Sequence, residues 1–96
     1  MDQKPQTIKL KIDDSQLKGS YANAMRVFHQ KDSFVIDFAN LAPPQGVVTA
    51  RIITSPIRLK EMISVLQENL RHYEEKFGKI KIEEEKPQEM GFQIDQ

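Results

Sequence analysis

The sequence predicts an α+β domain, an antiparallel sheet of three or four strands with one long C-terminal helix packed on one face. Three observations predict it. Short apolar runs, alternating or β-branched and separated by polar or proline-rich turns, occupy residues 7–54. Over residues 55–78, SPIRLKEMISVLQENLRHYEEKFG, the apolar residues switch to alternating steps of four and three, the period of a helix. A sheet followed by such a helix needs a cover, and one apolar helix stripe supplies it.

Residues 1–6 are polar with one proline and read as a flexible N-terminus. Residues 7–12, TIKLKI, alternate Ile8, Leu10 and Ile12 with Lys9 and Lys11, the pattern of a strand wet on one face. Its lysines suit an edge position, where charge discourages further pairing. Residues 13–19 read as a turn or short excursion.

Residues 20–30, SYANAMRVFHQ, would tolerate a helix at alanine and methionine. A strand is preferred because Arg26-Val27-Phe28-His29 leads through a Gln-Lys-Asp-Ser turn into SFVIDFA, two extended runs around a polar turn. Residues 34–39 form the clearest strand, with Phe34, Ile36 and Phe38 on one side and Val35, Asp37 and Ala39 on the other. Residues 40–46, NLAPPQG, contain two prolines that cannot donate to a ladder and read as a loop. Residues 47–54, VVTARIIT, form the last strand before the helix.

The helix is punctuated at both ends. Ser55 can accept from first-turn amides, Pro56 suits the first helical position, and Gly78 supplies a left-handed close after Phe77. Leu59, Ile63, Leu66, Leu70, Tyr73 and Phe77 make one stripe, which Met62 widens, while Lys60, Glu61, Gln67, Glu68, Arg71 and Glu75 belong to the wet side. The same spacing serves a coiled-coil seam, here at the lower length limit of about three heptads. The reading taken is a helix on its own sheet. Residues 79–82 are a short strand or an extended exit, which closes a single domain over 7–82. Residues 83–96 form an acidic, flexible tail whose Met90, Phe92 and Ile94 are a candidate docking peptide.

Composition narrows the function. Lysine plus arginine equals aspartate plus glutamate at 14 each in 96 residues, so no global field draws the chain to nucleic acid or an acidic membrane. The absence of cysteine excludes disulfides, thiol nucleophiles and thiolate metal sites, and fits a reducing compartment. No signal-like apolar core and no run near ~18 apolar residues is present, so a cytoplasmic protein without a membrane span is expected.

Catalytic groups are few. His29 and His72 have no partner at a metal-ligand spacing, and Glu74 and Glu75 beside Glu68 lie on a wet helix side rather than across a cleft. No glycine-rich loop precedes a helix to cradle a phosphate. The expectation is a non-enzyme without a cofactor.

Interfaces are better supported. With Phe28 set opposite Phe34, one sheet face gathers Ala24, Phe28, Phe34, Ile36 and Phe38, and the other gathers Tyr21, Met25, Val27 and Val35. One helix covers one face, so Tyr21, Met25, Val27 and Val35 are the candidate interface for a homodimer or higher homo-oligomer, or for a protein partner. Asn23, Asp37 and Arg51, polar residues within strands, form a candidate structural polar cluster. On this register Asp37 lies near Met25 and Val48, and no salt bridge with Arg51 is required.

Tyr21-Ala-Asn23, Phe34-Val-Ile-Asp37-Phe38, Ala50-Arg51-Ile52-Ile53 running into Ser55-Pro56, and the helix end Tyr73-Glu74-Glu-Lys-Phe77-Gly78 together give a signature over residues 20–80. It resembles a family of short bacterial and archaeal proteins defined as a domain of unknown function, with a strand-strand-strand-helix pattern ending YEEKFG. The resemblance implies a prokaryotic cytoplasmic protein and transfers no activity. Strands followed by a long helix are also similar in architecture to export-chaperone subunits that bind unfolded clients.

The leading expectation is a non-enzymatic homo-oligomeric interaction module. The alternatives are a chaperone-like or adaptor protein for unfolded or secreted clients, and a nucleic-acid-associated regulator. The last is not favoured, because the basic stripe it needs is missing.

Overall fold

The computed structural model describes residues 7–82. Its elements are a short helix α1 (Asp14–Leu17), strands β1 (Ala24–Gln30), β2 (Ser33–Ala42) and β3 (Gln45–Thr54), and a long helix α2 (Pro56–Phe77). The strands form one antiparallel sheet in the order β1-β2-β3. This is the α+β arrangement expected, with three strands. The chain divides into two compact units, Met1–Leu59 and Lys60–Gln96, so the sheet lies in the first and most of α2 in the second.

Expectations for three elements are corrected. The strand expected over residues 20–30 begins only at Ala24. Residues 7–12 form no strand; they run irregularly into α1, which occupies part of the expected turn. Alternation alone was not enough there, because Leu10 stays 94% exposed and no strand partner fixes the segment. Residues 40–46 are not a loop. β2 continues to Ala42 and β3 starts at Gln45, so Pro43 and Pro44 are the two turn residues of a tight hairpin. Proline is excluded from a ladder only where an amide must donate, and the two turn positions need none. The Pro43–Pro44 bond is cis, as in a type VI turn.

The turn at Lys31 and Asp32 fixes the first register. Gln30 pairs with Ser33, and the ladder runs back through Phe28↔Val35 and Arg26↔Asp37 to Ala24↔Ala39. Phe28 therefore faces Val35, not Phe34; Phe34 pairs with His29, their rings 5.5 Å apart. On the other side of β2, a bulge between Phe38 and Ala39 shifts the register by one. Thr49 is the extra residue on β3, and its hydroxyl donates to the Phe38 carbonyl at 3.1 Å.

Helix α2 begins and ends as its sequence dictates. The Ser55 hydroxyl accepts from the Arg58 amide at 3.3 Å, and the Ser55 carbonyl accepts from the Leu59 amide. At the other end Gly78 has φ of 93°, a left-handed conformation that glycine adopts without Cβ strain, and its amide donates to the Glu74 carbonyl. The Arg71–Glu75 pair at 2.9 Å is an exposed i,i+4 contact of the wet side.

Candidate functional site

Because paired residues in a ladder project to the same side, the register sorts the sheet into two chemically different faces. One carries Met25, Val27, Phe34, Ile36, Phe38 and Ile52, an apolar surface spanning all three strands. Ile36 at its centre is buried, while Met25, Val27 and Ile52 are exposed.

The other face has charge at its centre. Arg26, Asp37 and Arg51 lie in one row across β1, β2 and β3. Arg51 donates from Nε to Asp37 Oδ1 at 2.7 Å and from Nη2 to Oδ2 at 2.9 Å, a bidentate fork. Arg26 Nη2 donates to the same Oδ2 at 2.6 Å. Asp37 is 1% exposed, the most buried side chain among the described residues, while the Arg51 side chain remains half exposed. Both guanidinium carbons lie over the Phe28 ring, at 5.2 Å for Arg26 and 5.7 Å for Arg51, within cation–π range.

The electrostatics follow from this geometry. Hydrogen bonds from Arg51 outweigh the cost of burial and, with those from Arg26, hold the Asp37 carboxyl down at about 2. Asp37 in turn raises Arg51 above the ordinary guanidinium value. One carboxylate against two guanidiniums leaves one positive charge in excess. Its chemistry is that of a clamp: it ties three strands together and fixes two cations and an aromatic ring on one surface.

The residues expected to act together separate. Asp37 and Arg51 are directly bonded, contrary to the register that placed Asp37 near Met25 and Val48. Asn23 stands elsewhere, just before β1, where its side-chain amide donates to the Leu41 carbonyl at 3.0 Å and accepts from the Leu41 amide at 2.8 Å. It thereby supplies one more rung to the sheet with a side chain in place of backbone. Arg26 was missed, although a two-residue turn at Lys31 and Asp32 already implies its position opposite Asp37.

The candidate interface also divides. Met25 and Val27 lie on the apolar face, whereas Val35 shares the other face with Phe28; Tyr21 precedes the sheet and is exposed. Met90, Phe92 and Ile94 lie outside the described residues. His29 pairs with Phe34 at the hairpin end and His72 lies on α2.

Within the second unit, the stripe of α2 from Ile63 to Phe77 is exposed. No residue of the helix is buried, and Leu66 and Phe77 are 69% and 65% exposed. After Gly78 the chain turns back, and the Ile80 amide donates to Glu74 Oε2 at 2.9 Å. Ile80 then completes an open apolar hollow of about 480 Å³ with Val65, Leu66, Asn69, Leu70 and Tyr73. Tyr73 and Phe77 contact each other one turn apart, ring centroids 5.0 Å apart.

Among the described residues no three histidine, aspartate or glutamate side chains are placed to hold a metal ion, and no helix is long and apolar enough to cross a membrane. A family model described as "Protein of unknown function (DUF3467)" matches residues 1–82. No curated protein and no solved structure matches the chain.

Proposed function

The chain belongs to this DUF3467 family of unknown function, and from that premise, which carries no activity with it, we propose that it is a non-enzymatic cytoplasmic module that assembles with copies of itself. The observation that supports this reading is the distribution of apolar surface. Among the described residues only Ile36 and Ala39 are buried apolar side chains, and they lie on opposite faces of the sheet. Met25, Val27, Ile52 and Ile53 are exposed on the sheet, and in the second unit Ile63, Leu66, Leu70, Tyr73 and Phe77 of the α2 stripe are exposed. A chain this short buries a modest share of its unfolded surface even when well packed. Apolar surface of this extent on a folded domain marks an interaction site, and a second copy is the simplest source of a complementary one.

The face carrying Met25, Val27, Phe34 and Ile36 suits such an interface because no charge interrupts it. The opposite face suits it less, since burying the clamp would require partners for the remaining guanidinium donors. Absolute mass in solution tests the reading, with Met25→Asp and Val27→Asp as the variants. Assembly that weakens while the fold is retained supports it.

A second reading is supported by the sheet edges. Among the described residues β1 and β3 each pair on one side only, so both leave a row of backbone groups on which an extended peptide can add a strand. An adaptor or chaperone for unfolded clients would use these edges. Slowed aggregation of a denatured model protein at stoichiometric ratio is the expected result for that role, and no effect counts against it.

A further inference from the structure

We propose that the stripe of α2 is an antiparallel docking site for the α2 of a second copy, centred on Glu68. This deepens the self-assembly reading and rests on it, adding a second contact surface to the sheet face. Turned end for end about Glu68, the stripe matches itself. Leu59 comes level with Phe77 of the second copy, Ile63 with Tyr73, and Leu66 with Leu70. Each outer layer then sets an aliphatic side chain against an aromatic one, so the pair has even thickness. A parallel pair would place Tyr73 on Tyr73 and Phe77 on Phe77 at one end, and the smaller Leu59 and Ile63 at the other, tapering the seam.

The charges select the same orientation. One edge of the stripe carries Lys60, Gln67 and Glu74, and the other carries Met62, Asn69 and Lys76. In an antiparallel pair each edge meets its own copy reversed. Lys60 therefore faces Glu74 of the second copy, twice by symmetry, while Asn69 faces Asn69 across the axis, a polar pair of the kind that fixes register. In a parallel pair opposite edges meet, giving Gln67 with Met62 and Glu74 with Asn69, without an ion pair.

The surface is also shaped for the contact. Leu66, Asn69, Leu70 and Tyr73, four of the residues around the open hollow, are the four-residue hole that a heptad seam offers to one incoming side chain. Level with Leu70, that side chain is Leu66 of the second copy. The hydrogen bond from the Ile80 amide to Glu74 keeps Ile80 against the rim of the hollow.

The test exchanges the charges on the full chain. Lys60→Glu alone, and Glu74→Lys alone, should each weaken self-association by about fivefold or more, measured by sedimentation across a dilution series. The double exchange, K60E with E74K, should recover most of what K60E alone loses, short of the wild type because a lysine at 74 cannot accept from the Ile80 amide. Because the chain has no cysteine, Asn69→Cys gives an independent readout: it should form a symmetric intermolecular disulfide on mild oxidation, which a parallel pair, with its Asn69 side chains on opposite edges, would not. An assembled wild type that ignores the charge exchanges, or an Asn69→Cys variant that stays reduced, overturns the antiparallel site and leaves self-assembly standing. The same insensitivity is the result if another segment of this chain, residues 83–96 included, covers the stripe. A wild type that is monomeric at every concentration overturns both.

Discussion

Asp37 and Arg51 face each other across the β2–β3 ladder and share two hydrogen bonds, at 2.7 and 2.9 Å. Arg26 adds a third bond from the other side of β2. The pair is specific to a sheet bulged by one residue, since an unbroken ladder from the Pro43–Pro44 turn would set Asp37 opposite Ala50. Register and charge therefore support each other, because slipping β1 takes Arg26 from Asp37 and slipping β3 takes Arg51.

Replacing Asp37 tests the clamp. Asp37→Asn retains the shape but removes the charge that both guanidiniums address, and it should lower unfolding stability by about 2 kcal/mol. Arg51→Lys should cost more than Arg26→Lys, because an ammonium cannot reproduce the fork through which Arg51 supplies two of the three bonds. Denaturant titrations of the three variants give the order, and an equal cost for both lysine substitutions would contradict it.

Acid should release the same clamp in a defined window. The Asp37 carboxyl titrates at about 2 in the folded chain against an ordinary 3.8. A depressed folded value means that the stabilisation is complete above the ordinary value and is lost as pH falls from about 4 toward about 2. The stability gap between the wild type and Asp37→Asn should therefore narrow across that range. A gap that stays constant down to pH 2 would show that the carboxylate is not held by the arginines.

Asn23 makes a prediction of a different kind. Its side-chain amide makes a reciprocal pair with the Leu41 backbone, so Asn23→Ala removes one donor and one acceptor and should cost about 1 kcal/mol. Asn23→Asp keeps the acceptor but sets a carboxylate against the Leu41 carbonyl, and should cost at least as much. Melting curves of the two variants provide the comparison.

The ends of α2 should be separable from its stripe. Ser55→Ala removes the hydroxyl that accepts from Arg58, and Gly78→Ala forces a Cβ into a φ of 93°; each should lower stability by about 1 kcal/mol. Gly78→Asn should lose less, because asparagine tolerates the left-handed region. Helical circular dichroism during thermal unfolding measures all three.

What the sequence reveals depends on how local the cause is. Ser55, Pro56 and Gly78 act on amides within one helical turn of themselves, so the helix and its bounds were legible. The Gln-Lys-Asp-Ser turn was legible for the same reason, and taken at two residues it already places Arg26 opposite Asp37. The bulge at Phe38 and Ala39 was not, since an extra residue at Thr49 is a tertiary choice without a glycine or proline to mark it. Residues 7–12 show the converse: TIKLKI has the alternation of a strand, and alternation without a neighbour makes none. The two prolines of NLAPPQG were recognised as a break, but a break as short as two residues is a hairpin turn. The family membership expected from the strand and YEEKFG signatures holds over residues 1–82.

The charge-free face of the sheet should respond to single acidic substitutions. Met25 and Val27 are exposed there beside the buried Ile36. Met25→Asp or Val27→Asp should lower the assembled mass at a given concentration while leaving the circular dichroism of the sheet unchanged. Phe28→Asp, on the opposite face over the two guanidiniums, should leave the mass as it is.

The most direct measurement is absolute mass by light scattering on a sizing column, over a wide range of concentration. Self-assembly predicts a dimer or a higher whole-number multiple of 11.1 kDa that persists on dilution and is weakened by Met25→Asp. A single species at the monomer mass at every concentration would contradict it.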